Sequence, residues 1–101
     1  MALLQITTIP LGTGSTSVSS FVARIQQKLT AEKANFHLCD MATIIEGDID
    51  ELLRLIRVIY NIPFEAGAQR VVTQISIDDR RDKTVALGDK TKTVQDLLKE
   101  M

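Results

Sequence analysis

The chain is poor in several residue types, and each scarcity narrows what it can be. It has no tryptophan, one tyrosine, one histidine, one cysteine and two prolines in 101 residues. A single cysteine, Cys39, excludes an internal disulfide and fits a reducing, cytoplasmic setting. One histidine, His37, with no serine or cysteine placed beside it by any motif, leaves no catalytic dyad, so no enzyme is expected. Histidine, cysteine and acidic residues nowhere stand at metal-ligand spacing, so no metal is expected. There is also no excess of one charge. Twelve Lys and Arg against 13 Asp and Glu give a net charge of -1, without the basic footprint of a nucleic-acid binder. No long apolar run exists either. The opening MALLQITTIPLG is interrupted by Gln5, Thr7 and Thr8 and has no basic residue before Arg24. It is expected to be neither a secretion signal nor a membrane span.

What is present is an ordinary globular composition, 45% hydrophobic and 25% charged. The length suits one domain, 1–101, with a core of its own. Ala2 to Ile9 is rich in β-branched residues and is followed by Pro10 and Gly12, which predicts a strand. Val18, Phe21, Val22, Ile25 and Leu29 recur at helical spacing and predict a helix from about Val18 to Glu32. Phe36 to Cys39 and Ala42 to Glu46 read as two short strands or as one bent strand. On a strand, His37 and Cys39 would share a face, His37 as a surface or interface residue and Cys39 as a small apolar one.

Asp48 and Glu51 have the form of a capping box ahead of a second helix. Its apolar stripe is Ile49, Leu52, Leu53, Ile56, Ile59 and Tyr60, with Asp50 and Arg54 as an i,i+4 pair. Gly67 would end that helix, and Pro63 inside it predicts a break near Asn61 or Ile62. Arg70 to Asp78 alternates cleanly as a strand. Thr84 to Leu87 would add a short strand. Thr93 would cap a last helix that carries Val94, Leu97, Leu98 and Met101.

The order is βαββαβ plus a C-terminal helix. This is an α+β chain with the pattern of a ferredoxin-like sandwich on a four-stranded antiparallel sheet. Two helices cover one sheet face. The other would carry Leu3, Gln5, Thr7, Ile9, Val72, Gln74 and Ser76, apolar mixed with uncharged polar groups. That composition points to self-association through the open face.

Three segments could carry chemistry. GTGSTSVSS, from Gly12, offers tight backbone turns and the hydroxyls of Ser15, Thr16 and Ser17 at a helix start. It lacks the lysine and spacing of a phosphate-binding loop. Its simplest use is a turn with Ser17 as helix cap. MATIIEGD places Thr43 and Glu46 on or near a strand. IDDRRDK is a mixed charge run of the kind that forms a solvated loop.

Together, in order, PLGTGSTSVSSFV, MATIIEGD and GAQRVVTQISIDDRRDK resemble the thiamine-binding protein family over nearly the whole chain. Pro63 departs from that pattern by interrupting a helix, and the His37–Cys39 pair is not a family feature. The resemblance implies a ferredoxin-like fold and assembly into dimers or tetramers through sheets. It also implies non-catalytic binding of thiamine or its hydroxymethylpyrimidine part as a ligand, with no cofactor. By motif position it nominates Gly14, Ser15, Thr16, Ser17, Thr43, Glu46, Asp78, Asp79 and Arg80 as ligand-binding residues. The alternative is a structural or regulatory oligomer that binds an anion or a protein partner.

Overall fold

A computed structural model describes residues 1–15, 18–84 and 86–101 of the protein. Its elements run β1 (Ala2–Leu11), α1 (Ser19–Ala31), β2 (Asn35–Leu38), β3 (Thr43–Gly47), α2 (Ile49–Tyr60), α3 (Ile62–Glu65), β4 (Arg70–Asp79) and α4 (Asp89–Glu100). The sheet order is β2-β3-β1-β4, antiparallel throughout, as the ferredoxin-like reading requires. Residues 36–46 form two strands in a hairpin, closed by the Cys39 N–H donating to the Ala42 carbonyl.

The core lies between the sheet and the first two helices. Leu4, Leu29, Ile45, Leu52, Leu55 and Ile59 are each at most 1% exposed. Ala2, Leu4 and Ile6 of β1 sit opposite Gly47, Ile45 and Thr43 of β3, and this row faces the helices. The register puts Leu3, Gln5, Thr7 and Ile9 opposite Asp78, Ser76, Gln74 and Val72 on the other face. No helix of the described residues is long and apolar enough to cross a membrane.

Several local expectations are corrected. β1 runs past Pro10 to Leu11, because beyond Ile6 it pairs only with β4 and its other side needs no N–H donor. The N-cap position of α1 is Val18, which makes no side-chain cap bond. The expected cap, Ser17, lies outside the described residues, as does Thr16. Asp48 stands at the N-cap of α2 but its side chain makes no cap bond. Glu51 instead accepts from Arg54 at 2.7 and 3.0 Å, and Arg54 reaches Glu32 at 3.0 Å, so Asp50 is not its partner.

The break near Pro63 is present. α2 stops at Tyr60, Asn61 is its C-cap, and Pro63 sits in the first turn of the short α3 as a fully buried residue. Thr84, Ala86 and Leu87 form no strand. Thr93 lies inside α4, which starts at Asp89, and its hydroxyl donates back to the Asp89 carbonyl. Cys39 lies beyond the end of β2 and is exposed rather than packed.

The C-terminal helix stands off the sandwich. Val94, Leu97 and Leu98 are 55%, 55% and 61% exposed, and no residue of α4 is buried. The radius of gyration is 15.3 Å, against about 13 Å for a compact chain of 100 residues.

Candidate functional site

The pairing lengths of the strands create a cavity. β1 pairs with β3 only from Ala2 to Ile6, then continues beside β4 as far as Leu11. Thr7, Thr8 and Ile9 therefore part from the hairpin just where its turn, residues 39–42, replaces β3. The first turns of α1 roof the gap. The result is a cavity of about 260 Å³. Its apolar lining includes Ile6, Ile9, Val18, Val22, Ile25, Leu38 and Met41. The Thr7 hydroxyl donates to the Met41 carbonyl at 3.0 Å, which ties strand to turn across the gap.

Thr7, Thr8, Gln26, Asp40 and Thr43 are the polar residues of the lining, and Gln26 reaches across it from α1. Its Nε2 donates to Thr43 Oγ1 at 2.9 Å. Thr43 is 5% exposed and is the buried polar residue of the sheet. Gln26 Oε1 is fully buried and has no hydrogen-bond partner among the described residues. An unmatched buried acceptor costs roughly 1–3 kcal/mol, so folded proteins rarely keep one without a water or ligand to meet it. The titratable side chains lining the cavity are Cys39 and Asp40. Among the described residues no aromatic ring lines it. Phe36 packs on the core, and Tyr60 and Phe64 meet each other elsewhere, ring centres 6.1 Å apart.

The nominated residues do not converge. Thr43 is in the cavity wall, whereas Gly14 and Ser15 are not among its lining residues. Gly12 and Gly14 have φ of +69° and +77°, and a β-carbon at either would meet nothing. Glycine is needed there for backbone conformation rather than to admit a neighbour.

Glu46 points to the opposite sheet face. It lies opposite both Leu3 and Asn35, and Leu3 lies opposite Asp78, so these four residues form one row. Glu46 Oε2 accepts from Asn35 Nδ2 and, at 3.2 Å, from the Leu87 N–H. Asp78 pairs with Lys90 of α4. These two acids anchor the C-terminal segment across the end of the open face.

Asp79 accepts from Arg81 at 2.9 Å, and Arg80 donates to Asp82 at 2.5 Å. The Arg81 guanidinium holds the Asp79 carboxyl below the usual carboxylate range, and Arg80 does the same to Asp82. This is the paired, solvated charge run that the sequence suggests. Among the described residues no cluster of histidine, cysteine or acidic side chains is arranged to hold a metal.

Gln26 is absent from the nominated set because it belongs to no motif. A signal did exist. It falls four residues after Val22 and three before Leu29, both on the inward stripe of α1.

Fold and cavity together define a ferredoxin-like α+β protein with a small, mostly apolar pocket under its first helix. The chain belongs to the Thiamine-binding protein family, which matches residues 4–95. It is 41% identical to the UPF0045 protein in the glkA 3' region of Staphylococcus xylosus, over 99% of this chain and 97% of that one. The hypothetical protein MJ1052 of Methanocaldococcus jannaschii has a similar structure, with TM-score 0.83, 29% identity, and 93% and 95% of the two chains covered. A candidate thiamine biosynthesis/salvage protein of Thermotoga maritima shares the fold at TM-score 0.76 and 17% identity, over 92% of this chain and 97% of that one.

Proposed function

We propose that the protein binds thiamine, or its hydroxymethylpyrimidine moiety, without catalysing a reaction on it. The observation that carries this reading is a mostly apolar cavity of about 260 Å³ roofed by α1, with Gln26, Thr43, Thr7 and Thr8 in its lining. A small heteroaromatic ring with a polar edge suits such a site, which at about 260 Å³ falls just below the usual range of about 300–1,000 Å³ for drug-sized ligands. Family membership supports the choice of ligand, as does the thiamine biosynthesis/salvage description of the Thermotoga maritima neighbour. Gln26 and Thr43 provide the polar contacts.

The reading includes a cytoplasmic homo-oligomer, a dimer or a tetramer. Leu3, Gln5, Thr7, Ile9, Val72, Gln74 and Ser76 share one uncovered face without a charge among them. The stripe of α4 is likewise exposed. Both are surfaces that a second copy would cover.

Thermal denaturation with and without thiamine tests the reading. Ligand at one hundred times its dissociation constant stabilises the native state by about 2.7 kcal/mol. No shift at millimolar thiamine or hydroxymethylpyrimidine would refute it.

A further inference from the structure

We propose that two copies of the chain pair β4 against β4, antiparallel, about a two-fold axis at Gln74, and so join their four-stranded sheets into one continuous sheet. This contact is independent of the ligand reading. To the oligomer reading it adds an interface through the sheet edge, beside the one through the open face.

β4 is the last strand in the order β2-β3-β1-β4, so one side of its backbone has no strand beside it. It is 10 residues long, whereas β2 at the other edge has 4. Its register with β1 runs from Arg70 to Asp79 without a bulge. An open edge of this length presents a row of unpaired N–H and C=O groups. Proteins that stay single blunt such edges with lysine, proline, inward charges or bulges. Val71 to Ile77 carries none of these.

The helix layer also stops short of this edge. Ile75 and Ile77 lie opposite Ile6 and Leu4, on the helix side of the sheet. Ile6 and Leu4 are buried, yet Ile75 and Ile77 are 40% and 42% exposed. Two β-branched side chains thus stand uncovered beside an uncovered backbone edge.

The identity of the partner follows from the complementarity of the strand to itself. A two-fold axis perpendicular to the sheet reverses the strand and keeps each face continuous, so helix-side residues stand opposite helix-side residues. With the axis at Gln74, Arg70 faces the partner's Asp78 and Val72 faces the partner's Ser76 on the open side. On the helix side, Val71 faces the partner's Ile77 and Thr73 the partner's Ile75. The uncharged row therefore closes with an ion pair at each end, and the exposed isoleucines meet β-branched neighbours. Opposite charges and β-branched pairs are favourable units of sheet pairing. Asp78 keeps an oxygen for this contact, since its bond to Lys90 uses Oδ2 and its side chain is 52% exposed. Moving the axis to Ile75 would set Val72 against the partner's Asp78 and bring Arg70 to the partner's Arg80, a like charge.

The test is disulfide trapping in the full chain with Cys39→Ser as background. Gln74→Cys is expected to give a covalent dimer under mild oxidation, because opposite residues stand about 4.5–5.5 Å apart between α-carbons, within disulfide reach. Ser76→Cys is expected to stay unlinked, since its two copies are displaced by four residues along the ladder, roughly 13 Å. Both positions are exposed, so neither change touches the core. In sedimentation equilibrium, Arg70→Asp is expected to weaken the dimer at least about tenfold, and Arg70→Asp combined with Asp78→Arg to recover it.

A wild-type dimer in which Gln74→Cys does not link, or in which Ser76→Cys links equally well, would overturn the edge contact and leave association through the open face standing. A dimer constant unmoved by Arg70→Asp would overturn it too. A wild type that stays monomeric at micromolar concentration would overturn both contacts, with thiamine binding unaffected.

Discussion

Thr43 and Glu46 lie on the same strand and face opposite sides of the sheet. Thr43 is buried under α1 and accepts from Gln26, while Glu46 holds Asn35 and the Leu87 N–H on the uncovered side. One motif thus serves two places, and substitutions within it should separate. Thr43→Val is expected to weaken ligand binding and to cost about 1–3 kcal/mol of stability, because the Gln26 amide then loses its remaining partner. Glu46→Gln is expected to leave ligand binding unchanged and to speed hydrogen exchange at Leu87 and in α4. Titration of both variants with hydroxymethylpyrimidine, with exchange followed by mass spectrometry, checks the separation. A loss of binding in Glu46→Gln would contradict it.

The core makes a second prediction. Leu29 and Ile45 are fully buried between α1 and the sheet. Truncation of either to alanine is expected to cost about 2–5 kcal/mol, since each leaves a cavity in close-packed surroundings. For a domain of this size each kcal/mol lowers the melting temperature by about 4–8 °C. Thermal unfolding followed by circular dichroism measures it. Leu97→Ala on the exposed stripe of α4 should move the melting temperature of the monomer far less.

The acid side of the stability profile follows from three carboxylates. Arg54 lowers Glu51, Arg81 lowers Asp79 and Arg80 lowers Asp82, each chiefly through a side-chain hydrogen bond. Their folded values lie below their unfolded ones, so their contribution is complete above the unfolded value of about 4. Below that pH the unfolded chain takes up protons first, and the contribution fades as pH falls through the folded values. All three pairs are exposed, so the effect should be small and should shrink in high salt. Denaturant midpoints between pH 2 and pH 6, at low and high salt, would reveal this. The pH dependence should be shallower in Glu51→Gln.

Much of this architecture is legible in the sequence because period is a strong signal. The alternation in β4 and the 3.6-residue stripes of α1 and α2 locate those elements to within a few residues, and Pro63 marks the break after Tyr60. Side-chain pairing is less legible. Asp50, Glu51 and Glu32 all compete for Arg54, and only the packing of α2 against α1 decides among them. The turn of Asp48–Glu51 has the letters of a capping box, yet the carboxylate of Glu51 goes to Arg54 instead.

The cavity was illegible for a different reason. It exists because β1 outlasts β3, and strand lengths relative to one another are a property of the sheet, not of any segment. Motif matching drew attention to Glu46, Asp78, Asp79 and Arg80, which are conspicuous because they are charged. Gln26 is neutral and sits inside a helical stripe, where only its inward direction sets it apart.

Self-association supplies a fourth prediction. Gln5 is exposed at the middle of the open face, opposite Ile44 and Ser76. A Gln5→Lys substitution should leave the monomer fold intact and drive the assembly toward monomers, because it buries two like charges across a two-fold contact. Light scattering at micromolar protein follows it. Wild type that is already monomeric would remove the oligomer from the account.

The most direct test of the central claim is the stoichiometry of binding. Equilibrium dialysis of the wild-type chain against radiolabelled hydroxymethylpyrimidine should show saturable uptake of one molecule per chain, displaced by unlabelled thiamine and abolished when Gln26 and Thr43 are replaced together by methionine and valine. Uptake that does not saturate, or that survives the double replacement unchanged, would contradict the claim that this cavity is the binding site.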